Sequence, residues 1–168
     1  MFLPLIRTEY GKEINEEYDK ASIGKSSMQN IFSLISKNKA KEIISYYEKL
    51  YKEKRVINQN MVSLIKDSKK KYSIICATNT NELHFRANKE IIRIFDSSFP
   101  SFKLGYKKEN PEFFRIMLKK LKLKPEETLL IDNFEKNINI AKSLGMKSIK
   151  FEGYDKLIKS PFLKLKWK

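Results

Sequence analysis

The stretch Tyr72-Ser73-Ile74-Ile75-Cys76-Ala77-Thr78-Asn79-Thr80-Asn81 decides the fold. Its first six residues form a short, nearly continuous apolar run, the pattern of a strand buried on both faces of a parallel sheet. A polar cluster, Thr78 to Asn81, ends the run, and a helix is expected through Leu83 to Ile94. The alternation then repeats. Pro111 opens a helix at its first turn, where a missing N–H costs nothing, with Phe114, Met117, Leu118 and Leu121 on its apolar face. Thr128-Leu129-Leu130-Ile131 reads as a second buried strand that ends at Asp132-Asn133. The helix after it turns Ile138, Ala141 and Leu144 inward and stops at Gly145, and Lys147 to Phe151 supplies a third strand. Strand–helix–strand alternation predicts an α/β fold: a doubly wound, Rossmann-like parallel sheet over 69–168.

Upstream the period changes. Met28, Ile31, Phe32, Leu34 and Ile35 recur at three- and four-residue steps, and Ile43, Ile44, Tyr47 and Leu50 continue the pattern. A short helix is expected around Met61 to Ile65, and no strand signal appears between Thr8 and Asp67. Residues 1–68 therefore read as a small helical unit ahead of the sheet.

Composition narrows the function classes. The 168 residues carry 35 Lys+Arg and 20 Asp+Glu, a formal net charge of +15. With 41% hydrophobic and 12% aromatic residues the chain is too apolar to be disordered. No apolar run approaches a membrane span, so no membrane association is expected. The single cysteine, Cys76, excludes a disulfide framework and a cysteine-built zinc site. Met1 to Ile6 is too short for a secretory leader, which makes a reducing cytoplasm the expected location. Lysines spread over the whole length, accompanied by many Ile and Asn, fit codon composition better than a nucleic-acid footprint, so no specific nucleic acid is expected as a partner. The tightest basic cluster, Lys69-Lys70-Lys71, reads as a solvated guard beside a strand.

In an open parallel sheet, ligands bind beyond the carboxyl ends of the strands. Two residues stand there. Thr78 with Asn79 offers a hydroxyl and backbone N–H groups at a strand-to-helix turn, a natural phosphate cradle. Asp132 places a carboxylate at the end of an apolar strand, where a hard cation such as Mg²⁺ would suit it. Each has a plainer reading as a helix cap, Thr78 for the helix that follows it and Asp132 for the helix starting at Phe134. Between them lies Lys107-Lys108-Glu109-Asn110-Pro111, whose lysine is placed to meet a phosphate as a point charge. Cradle, lysine and carboxylate on successive strand ends make a phosphoryl-transfer arrangement. His84, the only histidine, reads as helix-face packing.

With these residues in place, the span from about Ile65 to Leu157 resembles the haloacid dehalogenase-like hydrolases, in particular phosphatase-type members with a helical cap. Four segments carry the resemblance: Ile74 to Asn81 with His84; Phe95-Asp96 with Ser101 to Gly105; Gly105 to Phe114; and Leu129 to Asn133 with Asn137, Ala141 and Gly145-Met146. The resemblance implies that 1–68 is the helical cap and 69–168 the α/β core. It implies that Thr78, Asn79 and Lys108 hold the phosphoryl group of a small phosphorylated substrate. It also implies that Asp132, with Asn133 beside it, holds Mg²⁺, so that Thr78, Lys108 and Asp132 form the catalytic set.

Members of that family attack phosphorus with an aspartate from a D-x-D motif on a central first strand. Here no aspartate among Asp19, Asp67, Asp96, Asp132 and Asp155 has another two positions away. Asn133 stands where many members have a second aspartate, and Glu109 replaces the usual proline after the lysine. The strand ending at Thr78 and the strand ending at Asp132 should therefore each lack a neighbour, which is costly for their backbone groups. Met1 to Ile6 is a poor substitute because Pro4 cannot donate to a ladder. The expectation is a Mg²⁺-dependent phosphatase chain without its nucleophilic segment, inactive alone, the strand coming either from residues upstream of a truncated start or from a second chain. The alternative is a non-catalytic phosphate- or partner-binding module.

Overall fold

The computed structural model describes residues 11–161, so Met1 to Ile6 fall outside the described residues. Four helices come first: α1 (Gly11–Ser22), α2 (Met28–Ile35), α3 (Ala40–Lys54) and α4 (Gln59–Ser68). The apolar periodicity from 26 to 50 is cut in two by Ser36-Lys37-Asn38-Lys39. Ser36 takes an extended backbone and ends α2 there. Side chains start two of these helices: Ser27 accepts the Asn30 amide at 3.2 Å, and Asn58 accepts that of Met61 at 3.1 Å. Ile14, Ala21, Met28, Ile31, Phe32 and Ala40 form their shared core, which Leu83 of the later chain also enters.

The second part alternates. β1 (Ile75–Thr78) leads into α5 (Glu82–Ala87) and α6 (Lys89–Ile92), and then into β2 (Ser97–Pro100) with α7 (Ser101–Leu104). α8 (Pro111–Leu121), β3 (Leu129–Asp132), α9 (Glu135–Ser143), β4 (Lys147–Lys150) and α10 (Tyr154–Ile158) complete it. The helix expected over 83–94 breaks at Asn88, whose side-chain amide donates to the His84 carbonyl at 2.9 Å and so ends the first helix. β2 has no apolar run to announce it. It is nonetheless a strand, pairing parallel to β1 in the register Ile75↔Ser97 to Thr78↔Pro100. β3 and β4 pair the same way, from Leu129↔Lys147 to Asp132↔Lys150.

The α/β architecture with parallel strands is as expected, but the described strands make two two-stranded sheets rather than one. One core nevertheless serves both: Phe99, Phe113, Phe114, Met117, Leu130 and Ile138 are buried together, with Ile75 and Ala77 packed against them. Enclosure of the strands is incomplete. All of β1 is only half-buried and Ile131 in the middle of β3 is 38% exposed, where burial on both faces was predicted. The reason is positional. Among the described residues, β1 carries a strand only on its β2 side and β3 only on its β4 side.

Helices α1–α3 dock on this framework through specific contacts. Gly24 has φ +75°, and a Cβ there would lie 2.2 Å from the Phe102 carbonyl oxygen. Asp19 pairs with Lys107, Glu48 with Arg86 at 2.7 Å, and Arg55 with Glu90 at 2.9 Å. His84 sits among three tyrosines: Tyr51 stacks on its ring at 4.5 Å, Tyr47 meets Nε2 at 2.8 Å, and Tyr18 flanks it. Because Asn81 Oδ1 accepts the His84 backbone N–H, its Nδ2 is the group facing His84 Nδ1 at 3.3 Å. Nδ1 is therefore an acceptor and Nε2 carries the proton toward Tyr47. The packing reading of His84 holds. Of the basic cluster, Lys69 pairs with Asp96 at 2.9 Å and Lys70 with Asp67 at 2.8 Å.

Two outcomes follow from this docking. Gly24→Ala combines a disfavoured φ with a clash against backbone and will lower stability by about 2 kcal/mol in urea unfolding. Burial holds the His84 imidazole below its ordinary 6.5, so on acidification the unfolded chain takes up that proton first. Stability contributed there is full above about pH 6.5 and declines as pH falls below it. A His84→Phe variant will lose that part of the acid slope in unfolding scans between pH 7 and 5.

Candidate functional site

Three loops meet at the carboxyl ends of β1 and β3. β1 delivers Thr78 and Asn79, β3 delivers Asp132, and the turn before α8 delivers Lys108. That turn is fixed at its end by Asn110, whose side chain accepts the Glu112 amide at 3.0 Å, and by Pro111 at the first helical position. Lys108 Nζ lies 2.5 Å from Asp132 Oδ2, with side chains only 15% and 3% exposed. The Lys108 backbone N–H donates to Asn79 Oδ1 at 2.8 Å, and Asn79 Nδ2 donates to Glu109 Oε2 at 2.7 Å. Asn79 thus ties the end of β1 to the turn that carries the lysine. Behind it, the Ser101 hydroxyl accepts the Thr80 amide at 2.9 Å and donates to the Ser22 carbonyl at 2.6 Å.

Asp132 is enclosed on every side. Oδ1 accepts the Phe134 amide at 2.8 Å, and Asn137 Nδ2 lies 3.2 Å from both carboxylate oxygens. Burial alone pushes this carboxyl up, but Lys108, the Phe134 amide and Asn137 together outweigh it and hold the group below the usual carboxylate range. The buried Asn137 leaves its Oδ1 without a partner among the described residues. The helix-cap reading is half right, since Asp132 does hold the start of the chain into α9. For Thr78 it fails: Asn81 caps α5, accepting the His84 amide at 3.0 Å. Burial pushes the Cys76 thiol up despite the nearby Lys108, which leaves it a protonated, unreactive group.

Of the residues singled out in the sequence, Asn79, Lys108 and Asp132 converge. Thr78 stands half-buried beside Asn79, and Asn133 is exposed. Neither side chain enters the Lys108–Asp132 pair. Asn137 and Glu109 complete the contacts around the set.

The donor set can be compared with what Mg²⁺ requires. A magnesium site needs about six oxygens in octahedral arrangement, usually one or two carboxylates and several waters. Here Asp132 is one carboxylate, and its oxygens are occupied by an ammonium, a backbone N–H and an amide. No cluster of three or more His, Cys, Asp or Glu occurs among the described residues. These residues alone do not fit the ion. Further oxygen ligands, and withdrawal of Lys108, would be required.

No family model matches the chain. In a search of solved structures, a haloacid dehalogenase (HAD) family enzyme from Bacteroides thetaiotaomicron, determined with magnesium and inorganic phosphate, superposes with a TM-score of 0.74. The match covers 94% of this chain and 89% of that one at 18% identity. The fold is that of the haloacid dehalogenase-like superfamily. A Porphyromonas gingivalis protein described as a predicted HAD-like family hydrolase agrees in fold, with a TM-score of 0.70 over 94% of this chain and 87% of that one, at 19% identity. Among curated proteins, a D-ribitol-5-phosphate phosphatase of B. thetaiotaomicron is 39% identical over 57 residues, which is 34% of this chain and 28% of the phosphatase. Bifunctional epoxide hydrolase 2 of Rattus norvegicus is 29% identical over 103 residues, 56% of this chain and 19% of that protein. The chain matches less than a third of the length of either. Among the described residues no helix is long and apolar enough to cross a membrane.

Removing Lys108 tests whether the Lys108–Asp132 site is electrostatically self-contained. Lys108→Met leaves the Asp132 carboxylate buried without its cation and will cost about 3 kcal/mol of stability. The double variant Lys108→Met with Asp132→Asn will recover most of that loss in the same urea titration, because a neutral amide still accepts the Phe134 amide.

Proposed function

We propose that this chain is a haloacid dehalogenase-like phosphatase acting on a small phosphorylated metabolite, and that its nucleophilic aspartate arrives on a further strand lodged between β1 and β3. The observation that carries the reading is the junction of Asn79, Lys108 and Asp132, which gathers groups suited to a phosphoryl oxyanion from three loops at the strand ends. Thr78 and the Asn79 backbone N–H would hold phosphoryl oxygens, and Lys108 would neutralise them. Asp132 would hold Lys108 in place until substrate competes for the ammonium.

The inserted strand would turn the two parallel pairs into one doubly wound sheet and bring the attacking carboxylate beside Lys108. Helices α1–α4 would act as the cap over that face, with 1–68 as cap and 69–168 as core. The magnesium complexes of the Bacteroides enzyme support Mg²⁺ as cofactor, provided the strand adds oxygen ligands that the described residues lack. The strand's source, whether upstream residues or a second chain, is open to mass measurement on protein purified from its native source. The reading places the activity in the cytoplasm.

Hydrolysis of para-nitrophenyl phosphate tests the reading. The 168-residue chain alone will stay near background. Adding a peptide with an apolar strand ending in D-x-D will raise the rate, and Lys108→Ala will lower the raised rate by about 10²-fold. Strong, Asp132-dependent hydrolysis by the chain alone would overturn the missing-nucleophile part. Phosphate binding that stays metal-independent, with no hydrolysis under either condition, would establish a binding module instead.

A further inference from the structure

The segment Lys107-Lys108-Glu109 sets two cations beside one anion, yet the fold separates its charges. Lys107 is drawn to Asp19 of α1, and Lys108 is drawn inward to Asp132. Glu109 is left without a cationic partner among the described residues, in a chain whose cations outnumber its anions by 15. Its carboxylate is not loose. Oε2 accepts from Asn79 Nδ2 at 2.7 Å, and the same Asn79 holds the Lys108 backbone through its Oδ1. A fixed, un-neutralised carboxylate therefore stands one side chain away from the cradle, held by a neutral amide.

That arrangement repels a bare phosphate and lowers the energy of a ligand that brings its own positive charge to the same spot. We infer that Glu109 is a specificity-determining residue, and that the site takes a phosphomonoester carrying an ammonium group, the phosphate on the Thr78–Lys108 side and the ammonium on Glu109. The inference rests on the phosphate-site reading above and names its substrate class. Asn79 acts here as a positioning residue, since it fixes both the anion-binding turn and the carboxylate that receives the ammonium.

Calorimetric titration of the full chain with inorganic phosphate, ethyl phosphate and O-phosphoethanolamine at pH 8 tests it. The wild-type chain will bind O-phosphoethanolamine about ten-fold more tightly than ethyl phosphate, the size of one charge-assisted hydrogen bond. Glu109→Gln keeps an oxygen for Asn79 but removes the charge. It will abolish that preference, weakening O-phosphoethanolamine while inorganic phosphate and ethyl phosphate bind as tightly as before or more so, with an unchanged melting temperature as the control for folding. Equal binding of the two esters by the wild-type chain would overturn the inference while leaving phosphate recognition standing. So would a Glu109→Gln chain that binds all three ligands more tightly by the same factor, which would mark simple repulsion. If none of the three binds, the phosphate-site reading falls and this inference falls with it.

Discussion

A carboxylate at the end of an apolar strand survives burial only if something compensates its charge, and Lys108 does so for Asp132. Much of the local structure serves that one contact. The lysine belongs to a loop, and loops drift unless fastened. Asn79 fastens it from the β1 side through a backbone hydrogen bond, and Asn110 with Pro111 fastens it from the helix side. Asn137 and the Phe134 amide orient the carboxylate from below. A pair so assembled is a poor source of net stability, because desolvation consumes most of the attraction. Its persistence is better understood as readiness: an ammonium and a carboxylate held at a fixed place, available to a ligand that outcompetes one for the other.

The same economy shapes the sheets. Parallel strands are normally enclosed by neighbours on both edges and by helices on both faces. Among the described residues each strand is paired along one edge alone, and apolar residues that a complete sheet would hide, Ile131 among them, are partly exposed. Buried aromatic residues on α8, Phe113 and Phe114, hold the two halves to a common core without any hydrogen bond between the sheets. Side-chain packing tolerates an interrupted sheet in a way that a hydrogen-bonded ladder does not.

Much of this was readable from residue order. The apolar runs at 74–77 and 128–131 announced β1 and β3, Pro111 announced the start of α8, and Gly145 the end of α9. The convergence of Lys108 and Asp132 followed from a lysine just before a proline-started helix and a carboxylate at the end of an apolar strand. What escaped were features without a local signature. Ser97-Ser98-Phe99-Pro100 has neither alternation nor an apolar run, and it becomes a strand only because β1 offers it an edge. The breaks at Ser36 and Asn88 depend on individual polar groups capturing backbone partners. The fastening by Asn79 joins residues some thirty positions apart, which no periodicity encodes. Asn137 looked like an ordinary polar residue of a helix, and its burial against Asp132 appears only when α9 is laid on β3.

Each two-stranded sheet is also closed within a short span of chain. Ile75 faces Ser97 and Leu129 faces Lys147, roughly twenty residues away in each case. Loop-closure entropy is small at such separations, and helices bridge both intervals. Each strand pairing is therefore local in the chain, whereas the contacts of the N-terminal helices with the later part are long-range. Parallel sheets are ordinarily slow to form because their pairings are distant. A chain divided into two local units meets less of that penalty in each pairing, and the two pairs share one core over Phe113 and Phe114.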